Sequence, residues 1–201
     1  FTDEYMIGRT PNPCVLCNTH IKWEALLKRA DKLGCDFIAT GHYANIHEKS
    51  GRYFISKGKD LNKDQSYALW GISQKNLSRT IFPLGNLEKD EIKKIALDRG
   101  YENLVKKSES YEICFVPDND YRSFLKKRVS NIDKVIKKGD FITEDGQTVG
   151  THQGYPFYTI GQRKGLGLAL GYPIYVTYID VEKNTVTVGT FDELKRNGMY
   201  V

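Results

Sequence analysis

Residues Gly8 to Trp23 read Gly-Arg-Thr-Pro-Asn-Pro-Cys-Val-Leu-Cys-Asn-Thr-His-Ile-Lys-Trp, and this stretch decides the fold. Proline disfavours helix and pushes the residue before it into extended backbone, so Pro11 and Pro13 predict a stiff loop without helix. A helical pattern follows, which places Cys17 at or just before a helix N-terminus. Free backbone N–H groups and the positive end of the helix dipole favour a thiolate there, so we expect the chemistry at this loop.

The helix after the loop is predicted from its apolar spacing. Apolar residues recur near one face, namely Ile21, Ala25, Leu26, Ala30 and Leu33. Charged residues occupy the opposite face, namely Glu24, Lys28, Arg29 and Asp31. Gly34 follows the last apolar position and is predicted to end the helix in left-handed backbone.

Composition and charge narrow the class of protein. The 201 residues are 40% hydrophobic and 27% charged, which is typical of one large or two small globular domains. No apolar run approaches the roughly 18 residues that span a bilayer, so no membrane partner is expected. A net charge of +5 permits a nucleic-acid partner without proving one. Four cysteines are too few for a secreted disulfide framework, which predicts a cytoplasmic protein.

The first part of the chain is predicted to alternate helix and strand. Asp36–Ala44 reads as a buried strand that ends at Thr40-Gly41-His42, and ligands bind at the carboxyl ends of such strands. Arg52–Lys57 reads as a second strand, and Asp64 is predicted to be the N-cap of the helix that follows it. A further helix runs from Leu87 towards Gly100. Cys35 is expected to be a small core residue.

The composition changes after Pro117. Asp118–Asp120 is predicted to cap a helix, and short strand signals between glycines follow it, with Glu182–Asn184 as a hairpin connection. Ile113–Val116 reads as a short buried strand around Cys114. These patterns predict an α/β domain at 1–117, a small β-rich domain at 118–192, and the entry into a further domain at 193–201.

Five motifs in order resemble the tRNA-specific 2-thiouridylase family, whose enzymes place sulfur on the wobble uridine. They are Thr10–Asn18 (Thr-Pro-Asn-Pro-Cys-Val-Leu-Cys-Asn), Ala39–Ala44 (Ala-Thr-Gly-His-Tyr-Ala), Lys63–Tyr67 (Lys-Asp-Gln-Ser-Tyr), Ser108–Phe115 (Ser-Glu-Ser-Tyr-Glu-Ile-Cys-Phe) and Tyr158–Gly167 (Tyr-Thr-Ile-Gly-Gln-Arg-Lys-Gly-Leu-Gly). The resemblance covers essentially the whole chain. It implies a partial Rossmann-like domain of the PP-loop, adenine nucleotide alpha-hydrolase type, then a β-rich central domain and the start of a C-terminal β-barrel.

The resemblance also implies a set of site residues. Cys17 and Cys114 would be catalytic, with Cys114 carrying a persulfide and Cys17 acting as the second thiol in a transient Cys17–Cys114 disulfide. Gly41 would lie against the nucleotide. The tRNA would contact Asn12, Pro13, Cys14, His42, Lys63, Asp64 and Gln65. Gln162, Arg163 and Lys164 form a basic loop that is also expected to face tRNA.

The implied reaction is ATP-dependent 2-thiolation of the wobble uridine. ATP and Mg²⁺ are the implied cofactors, and the partners are tRNA and a persulfide donor, either a cysteine desulfurase or a relay protein. The family's Ser-Gly-Gly-x-Asp-Ser nucleotide loop is absent from these 201 residues.

The sequence departs from the family at Cys14, where the family carries Asp. The proton-shuttling role of that Asp is not carried over to Cys14, because a thiol has a higher reference pKa than a carboxylic acid. Cys14, Cys17 and Cys114 would together offer three thiolates, which suits a [4Fe-4S] cluster with one open iron. One alternative is a non-enzymatic RNA-binding module with structural metal at Cys14 and Cys17, joined by a fourth ligand such as His20. Another alternative is a thiol–disulfide oxidoreductase that uses Cys14 and Cys17. The sequence around this pair lacks the βαβ pattern that a thioredoxin-like protein would show.

Overall fold

The computed structural model describes residues 1–106, 113–116, 120–130, 132 and 136–198. The α-helices are α1 Thr2–Met6, α2 Pro13–Leu16, α3 Glu24–Lys32, α4 Gln74–Leu77, α5 Lys89–Asp98, α6 Glu102–Lys106, α7 Tyr121–Arg128 and α8 Phe191–Leu194. A π-helix spans Cys17–Trp23, and 3₁₀ turns span Ser66–Ala68 and Tyr155–Phe157. The strands are β1 Ile38–Ala39, β2 Ala44–Lys49, β3 Arg52–Lys57, β4 Thr80–Ile81, β5 Gly139–Ile142, β6 Thr148–His152, β7 Tyr175–Asp180 and β8 Thr185–Gly189.

The chain divides into two compact units. The α/β unit is Asn12–Ile113, and the β-sheet unit is Phe1–Pro11 with Cys114–Val201. The first eleven residues therefore pack with the later part of the chain, whereas the sequence placed them in the first domain. The domain bounds drawn from composition stay a prediction.

In the α/β unit, β1 pairs in parallel with β4, with Ile38 opposite Thr80. Strands β2 and β3 form an antiparallel hairpin that turns at Ser50 and Gly51, both in left-handed backbone. The predicted strand over 36–44 is broken: among the described residues Ile38 and Ala39 form β1, and Ala44 already belongs to β2, where it pairs with Lys57. One apolar core joins these elements: Trp23, Leu27, Ala30, Ile38, Ala44, Leu69, Ile72, Leu77 and Phe82.

The predicted apolar face of the first helix is wrong except at Ala30. The buried positions of the helical run are Asn18, Trp23, Leu27 and Ala30, whereas Ile21, Ala25, Leu26 and Leu33 are exposed. The buried residues Trp23, Leu27 and Ala30 are four and three residues apart, so the α-helical period holds and the prediction chose the wrong face. The fully buried Trp23, which the predicted face left out, sets which side turns inwards. The predicted end is confirmed, since Gly34 has φ of +68°.

Local capping signals account for the starts of two further helices, α5 and α7. Helix α5 begins with a capping box in which the Glu88 side chain accepts from the backbone of Glu91, and the Glu91 side chain accepts from that of Glu88. Asp120 caps α7 by accepting from the backbone of Ser123 at 3.0 Å. Cys35 is exposed, so its prediction as a core residue is wrong.

The β-sheet unit holds a four-stranded sheet in the order β6-β5-β8-β7. The β7–β8 hairpin confirms the predicted connection at 182–184, where Asn184 has φ of +51°. Strands β5 and β8 pair in parallel, and the other pairs are antiparallel. No helix in the described residues is both long and apolar enough to cross a bilayer.

Candidate active site

The proline-rich loop leads directly into a helix. Helix α2 begins at Pro13, and the Asn12 side chain caps it by accepting from the backbone N–H of Cys14 at 3.2 Å. The prediction that Pro13 excludes helix is wrong because proline is favoured at the first helical position, where its missing N–H has no partner to lose. Asn12 thus has a structural role as the cap of this helix.

The two cysteines of the loop differ in position. Cys14 lies in the first turn and is exposed, whereas Cys17 is half-buried and begins the π-helix four residues after Pro13. The prediction that Cys17 lies at or just before the helix N-terminus is therefore wrong, since the helical run already begins at Pro13. Residues three apart on a helix share a face, so Cys14 and Cys17 are neighbours. A π-helical turn inside a longer helix is frequent at functional sites.

Asn18 joins the cysteine helix to the Lys63–Tyr67 motif. Its side chain is 2% exposed, and its Nδ2 donates to the carbonyl of Ala68 at 2.9 Å. The backbone N–H of Ala68 in turn donates to the carbonyl of Gln65 at 3.1 Å. Two motifs whose nearest ends, Asn18 and Lys63, are 45 positions apart in sequence therefore meet through Asn18, Ala68 and Gln65.

Gln65 continues this connection to the Ala39–Ala44 motif. Its backbone N–H donates to the carbonyl of Tyr43 at 2.9 Å, and its side-chain Oε1 accepts from the N–H of Tyr43 at 3.1 Å. Both backbone groups of Tyr43 are thus bonded to one residue. The structure brings the three motifs of the α/β unit together, as expected for parts of one site.

Asp64 braces the same loop. Its carboxylate accepts from the N–H of Gly58 at 3.0 Å, and from the N–H and hydroxyl of Ser66 at 3.3 and 2.8 Å. The prediction of Asp64 as a cap is borne out only at Ser66, because Gln65 is the residue that precedes the 3₁₀ turn. Lys63 lines a polar cleft of about 480 Å³ of mixed charge, together with three further lysines and three carboxylates: Lys59, Lys89, Lys93, Asp60, Glu88 and Asp90.

Gly41 and His42 follow β1, at the carboxyl end of the parallel pair. Gly41 is exposed, but the His42 side chain is buried. Its ring lies 5.5 Å from that of Trp23 and 6.1 Å from that of Phe82, and its Nδ1 hydrogen-bonds Thr40 Oγ1 at 2.9 Å. His42 is therefore a core residue, and its contact with tRNA stays a prediction.

Burial lowers the pKa of His42 from 6.5 to about 4, and the charge of Lys22 contributes. The unfolded chain takes up this proton at higher pH than the folded one, so the free energy of unfolding should fall as pH drops from above 6.5 towards 4. We expect a loss of about 2 kcal/mol between pH 7.5 and 5 from this group. Urea unfolding at both pH values measures it.

The matched comparison uses a buried and an exposed histidine of the same unit. His42→Gln should reduce the pH dependence, and His47→Gln, on the exposed hairpin, should leave it unchanged. His152 is buried in the other unit, and burial lowers its pKa as well, so only the difference between variants is informative. Equal pH dependence in wild type and His42→Gln would contradict the assignment.

Cys114 lies in the β-sheet unit and is exposed. The predicted strand at 113–116 is wrong: the described residues form a turn in which Val116 is buried. Aromatic packing decides this segment, since the Phe115 ring lies 5.1 Å from Phe1 and 5.8 Å from Phe124. The part of the Ser108–Phe115 motif at 108–112 lies outside the described residues.

The Tyr158–Gly167 motif also lies in the β-sheet unit. Thr10 Oγ1 donates to Thr159 Oγ1 at 2.8 Å, which joins the start of the proline-rich stretch to this loop. Gln162 braces the loop by accepting from the N–H of Thr159 at 3.1 Å and donating to the carbonyl of Lys164 at 2.9 Å. Arg163 and Lys164 are exposed, which suits a basic surface.

Cys14 and Cys17 lie in the α/β unit, whereas Cys114 lies in the β-sheet unit. All four cysteines are free thiols, so the Cys17–Cys114 disulfide stays a prediction. No group of three or more His, Cys, Asp or Glu side chains in the described residues is placed to hold a metal ion. The fourth ligand considered for zinc, His20, bonds Glu24 through Nδ1 at 3.2 Å.

Comparison with known proteins decides the family. Residues 1–118 match the model described as the tRNA methyl transferase HUP domain, and residues 122–190 match the tRNA methyl transferase PRC-barrel domain. The chain belongs to this family. Its HUP domain is of the PP-loop type and a PRC-barrel-like domain follows it, which confirms the predicted α/β class with a β-rich second part.

Several relatives within the family carry the name tRNA-specific 2-thiouridylase MnmA. The protein of Amoebophilus asiaticus is 69% identical over the whole chain, which covers 54% of that protein. The protein of Cytophaga hutchinsonii is 64% identical over the whole chain and 55% of its own length. That of Clostridium acetobutylicum is 48% identical over 98% of the chain and 54% of its own length. The chain spans about half the length of these relatives, and the resemblance read from the motifs is confirmed.

Sequence reasoning missed two residues of this site. Asn18 and Trp23 are buried beside the predicted site residues, and Trp23 Nε1 donates to Thr80 Oγ1 at 2.8 Å. A signal for Asn18 existed, because an asparagine inside a helix is unfavourable unless its amide finds a partner. The signal could not name Ala68 as that partner, which depends on the tertiary fold.

Proposed function

We propose that the chain contributes to a tRNA-uridine 2-sulfurtransferase, which thiolates the wobble uridine of tRNA with ATP. The main support is the hydrogen-bonded connection from Asn18 through Ala68 and Gln65 to Tyr43, which joins three motifs around Cys17. The names of the relatives support thiolation as the reaction. The target base must leave its stack to be reached, and Asn12, Pro13 and Cys14 lie at the loop that would receive it.

The C2 oxygen of uridine is a poor leaving group, and ATP with Mg²⁺ supplies the adenylyl group that improves it. Gly41 fits a nucleotide site, since it is exposed at the carboxyl end of a parallel strand, where nucleotides bind in open α/β sheets. A side chain there would meet only Leu84 Cδ1, at 3.7 Å. The exposed backbone at this position can therefore approach a ligand closely.

The two thiols divide the sulfur transfer between them. Cys114 holds the incoming sulfur as a persulfide, whose terminal sulfur forms the new bond to C2 as the bond from C2 to the adenylated oxygen breaks and AMP leaves. Cys17, as thiolate, attacks Sγ of Cys114 and breaks the sulfur–sulfur bond, so the uridine keeps the sulfur. The other product is a Cys17–Cys114 disulfide, which a dithiol, or two further thiols, reduces through a mixed disulfide. Cys114 is exposed, as a thiol that receives sulfur from another protein must be.

The tRNA would be held by lysines and arginines on both units. Lys63 lines the cleft of the α/β unit, and Arg163 and Lys164 are exposed on the β-sheet unit. The side chains of Asp64 and Gln65 hydrogen-bond to neighbouring groups of the protein. We therefore propose that they shape the surface that binds tRNA next to Lys63. Free thiols suit the reducing cytoplasm, where we place the reaction.

The function is tested by incubating full-length protein with unmodified tRNA, ATP, Mg²⁺ and a persulfide donor. The mass of the digested nucleosides should show 2-thiouridine, and omission of ATP should remove it. Tight tRNA binding with no modified nucleoside in any condition would favour the RNA-binding module instead.

Cys14 and Cys17 also fit two ligands of an iron–sulfur cluster, because they share one helix face and Cys14 is exposed. With Cys114 they would hold three irons of a [4Fe-4S] cluster and leave one open. Full-length protein purified without oxygen should then contain iron and labile sulfide, and Cys14→Ala should lose both. An active and iron-free Cys14→Asp variant would sink this proposal, and one tightly bound zinc would favour the structural-metal alternative.

A further inference from the structure

The buried side chain next to Cys17 has a feature that packing alone does not explain. Asn18 is 2% exposed, its Nδ2 donates to Ala68, and its Oδ1 is buried with no hydrogen-bond partner among the described residues. A buried acceptor left unpaired destabilises the fold, and an apolar side chain that fits the same space would avoid that cost. We therefore attribute the presence of asparagine at this position to the hydrogen bond that its Nδ2 donates to Ala68.

The donor holds two elements that carry site residues. Cys17 and Asn18 are the first residues of the π-helix, and Ala68 ends the 3₁₀ turn that follows Lys63–Gln65. The far end of the π-helix is held separately, by Trp23 Nε1 on Thr80 Oγ1 at 2.8 Å. With Trp23 held, the bond from Asn18 sets how the Cys17 end lies against the turn.

Thr19 provides a contrast within the same helix. Its Oγ1 donates to the carbonyl of Val15 at 2.9 Å, so its bond stays inside the helical run. Thr19 also lies against Gly71, just beyond the 66–68 turn, and valine keeps this packing because it has the branched shape of threonine. Thr19→Val therefore removes a hydrogen bond of the helix and leaves the Asn18–Ala68 bond in place. Variants at these two neighbouring positions therefore distinguish a loss of local helix stability from a loss of the attachment between the helix and the turn.

We propose that Asn18 is a positioning residue, which holds the Cys17 thiol in register with the loop that carries Lys63, Asp64 and Gln65. The proposal deepens the proposed function and rests on it for the role of Cys17. Attack of one sulfur on another requires an in-line approach, and a misplacement of about 1 Å costs roughly a hundredfold in rate. The hydrogen bond from the Asn18 side chain, at the residue after Cys17, fixes where the Cys17 thiol lies within the α/β unit.

The test compares Asn18→Ala with Thr19→Val in two assays. In full-length protein, Asn18→Ala should lower kcat for thiolation about 10- to 100-fold and change KM for tRNA by less than about threefold. The alkylation rate of Cys17 by iodoacetamide, followed by the mass of its peptide, should change by about threefold or more. Thr19→Val should leave kcat, KM and the alkylation rate near wild type.

Circular dichroism and urea unfolding show which variants are folded, and Asn18→Ser is measured in place of Asn18→Ala if the alanine variant is not. An alkylation rate of Cys17 equal to wild type, or equal losses of kcat in the Asn18 and Thr19 variants, would overturn the proposal. The alkylation assay needs no thiolation activity. Failure of the proposed function would show instead as thiolation retained by Cys17→Ser.

Discussion

Replacement of Cys17 or Cys114 by serine is expected to abolish thiolation of tRNA uridine in the full-length protein. Serine is close to cysteine in size, so the half-buried site at Cys17 and the exposed site at Cys114 should keep their shape. A hydroxyl cannot carry a persulfide, and it cannot form the disulfide that releases the sulfur. The loss should therefore appear in product formation, with tRNA affinity changed only a few-fold.

The mass of digested nucleosides measures product, and a filter-binding titration measures affinity. Cys35→Ser is the matched control, because Cys35 is an exposed thiol without a proposed role and should keep full activity. Near-normal 2-thiouridine from Cys114→Ser would end the persulfide assignment. Parallel loss of tRNA binding in the Cys17→Ser or Cys114→Ser variant would point to a structural role for that thiol.

Replacement of Trp23 by alanine should give the largest loss of stability that the α/β unit offers from one side chain. Trp23 is fully buried, its ring lies 5.5 Å from His42 and 6.1 Å from Phe82, and its indole N–H is bonded to Thr80. Removal of the ring leaves a cavity and removes the hydrogen bond that the Thr80 hydroxyl accepts, while its bond to the carbonyl of Asn76 at 2.7 Å remains. We expect the free energy of unfolding to fall by about 3–5 kcal/mol.

Urea unfolding followed by far-ultraviolet circular dichroism measures this loss. The chain has a second tryptophan, Trp70, which is 76% exposed and serves as the matched control. Trp70→Ala should change the free energy of unfolding by less than about 0.5 kcal/mol. Equal losses in the two variants would show that Trp23 is not at the centre of this core.

The elements that the sequence predicted well are those set by neighbours in the chain. The start of α5 follows from the reciprocal bonds of Glu88 and Glu91, and the start of α7 follows from Asp120. The turn at 182–184 follows from Asn184 in left-handed backbone. Each is decided within four residues, so the residue types suffice to predict it.

The sequence alone determined the family, through five ordered motifs, and with it the residues to examine. Only the tertiary structure decided how the motifs meet: Asn18 bonds Ala68, and Gln65 bonds Tyr43. It also decided that His42 is buried and that the helix turns Trp23 rather than Ile21 inwards. The physical reason is that these outcomes depend on partners 22 to 57 residues away. Spacing and propensity describe a residue's neighbours in the chain and cannot name the distant group that buries or bonds it.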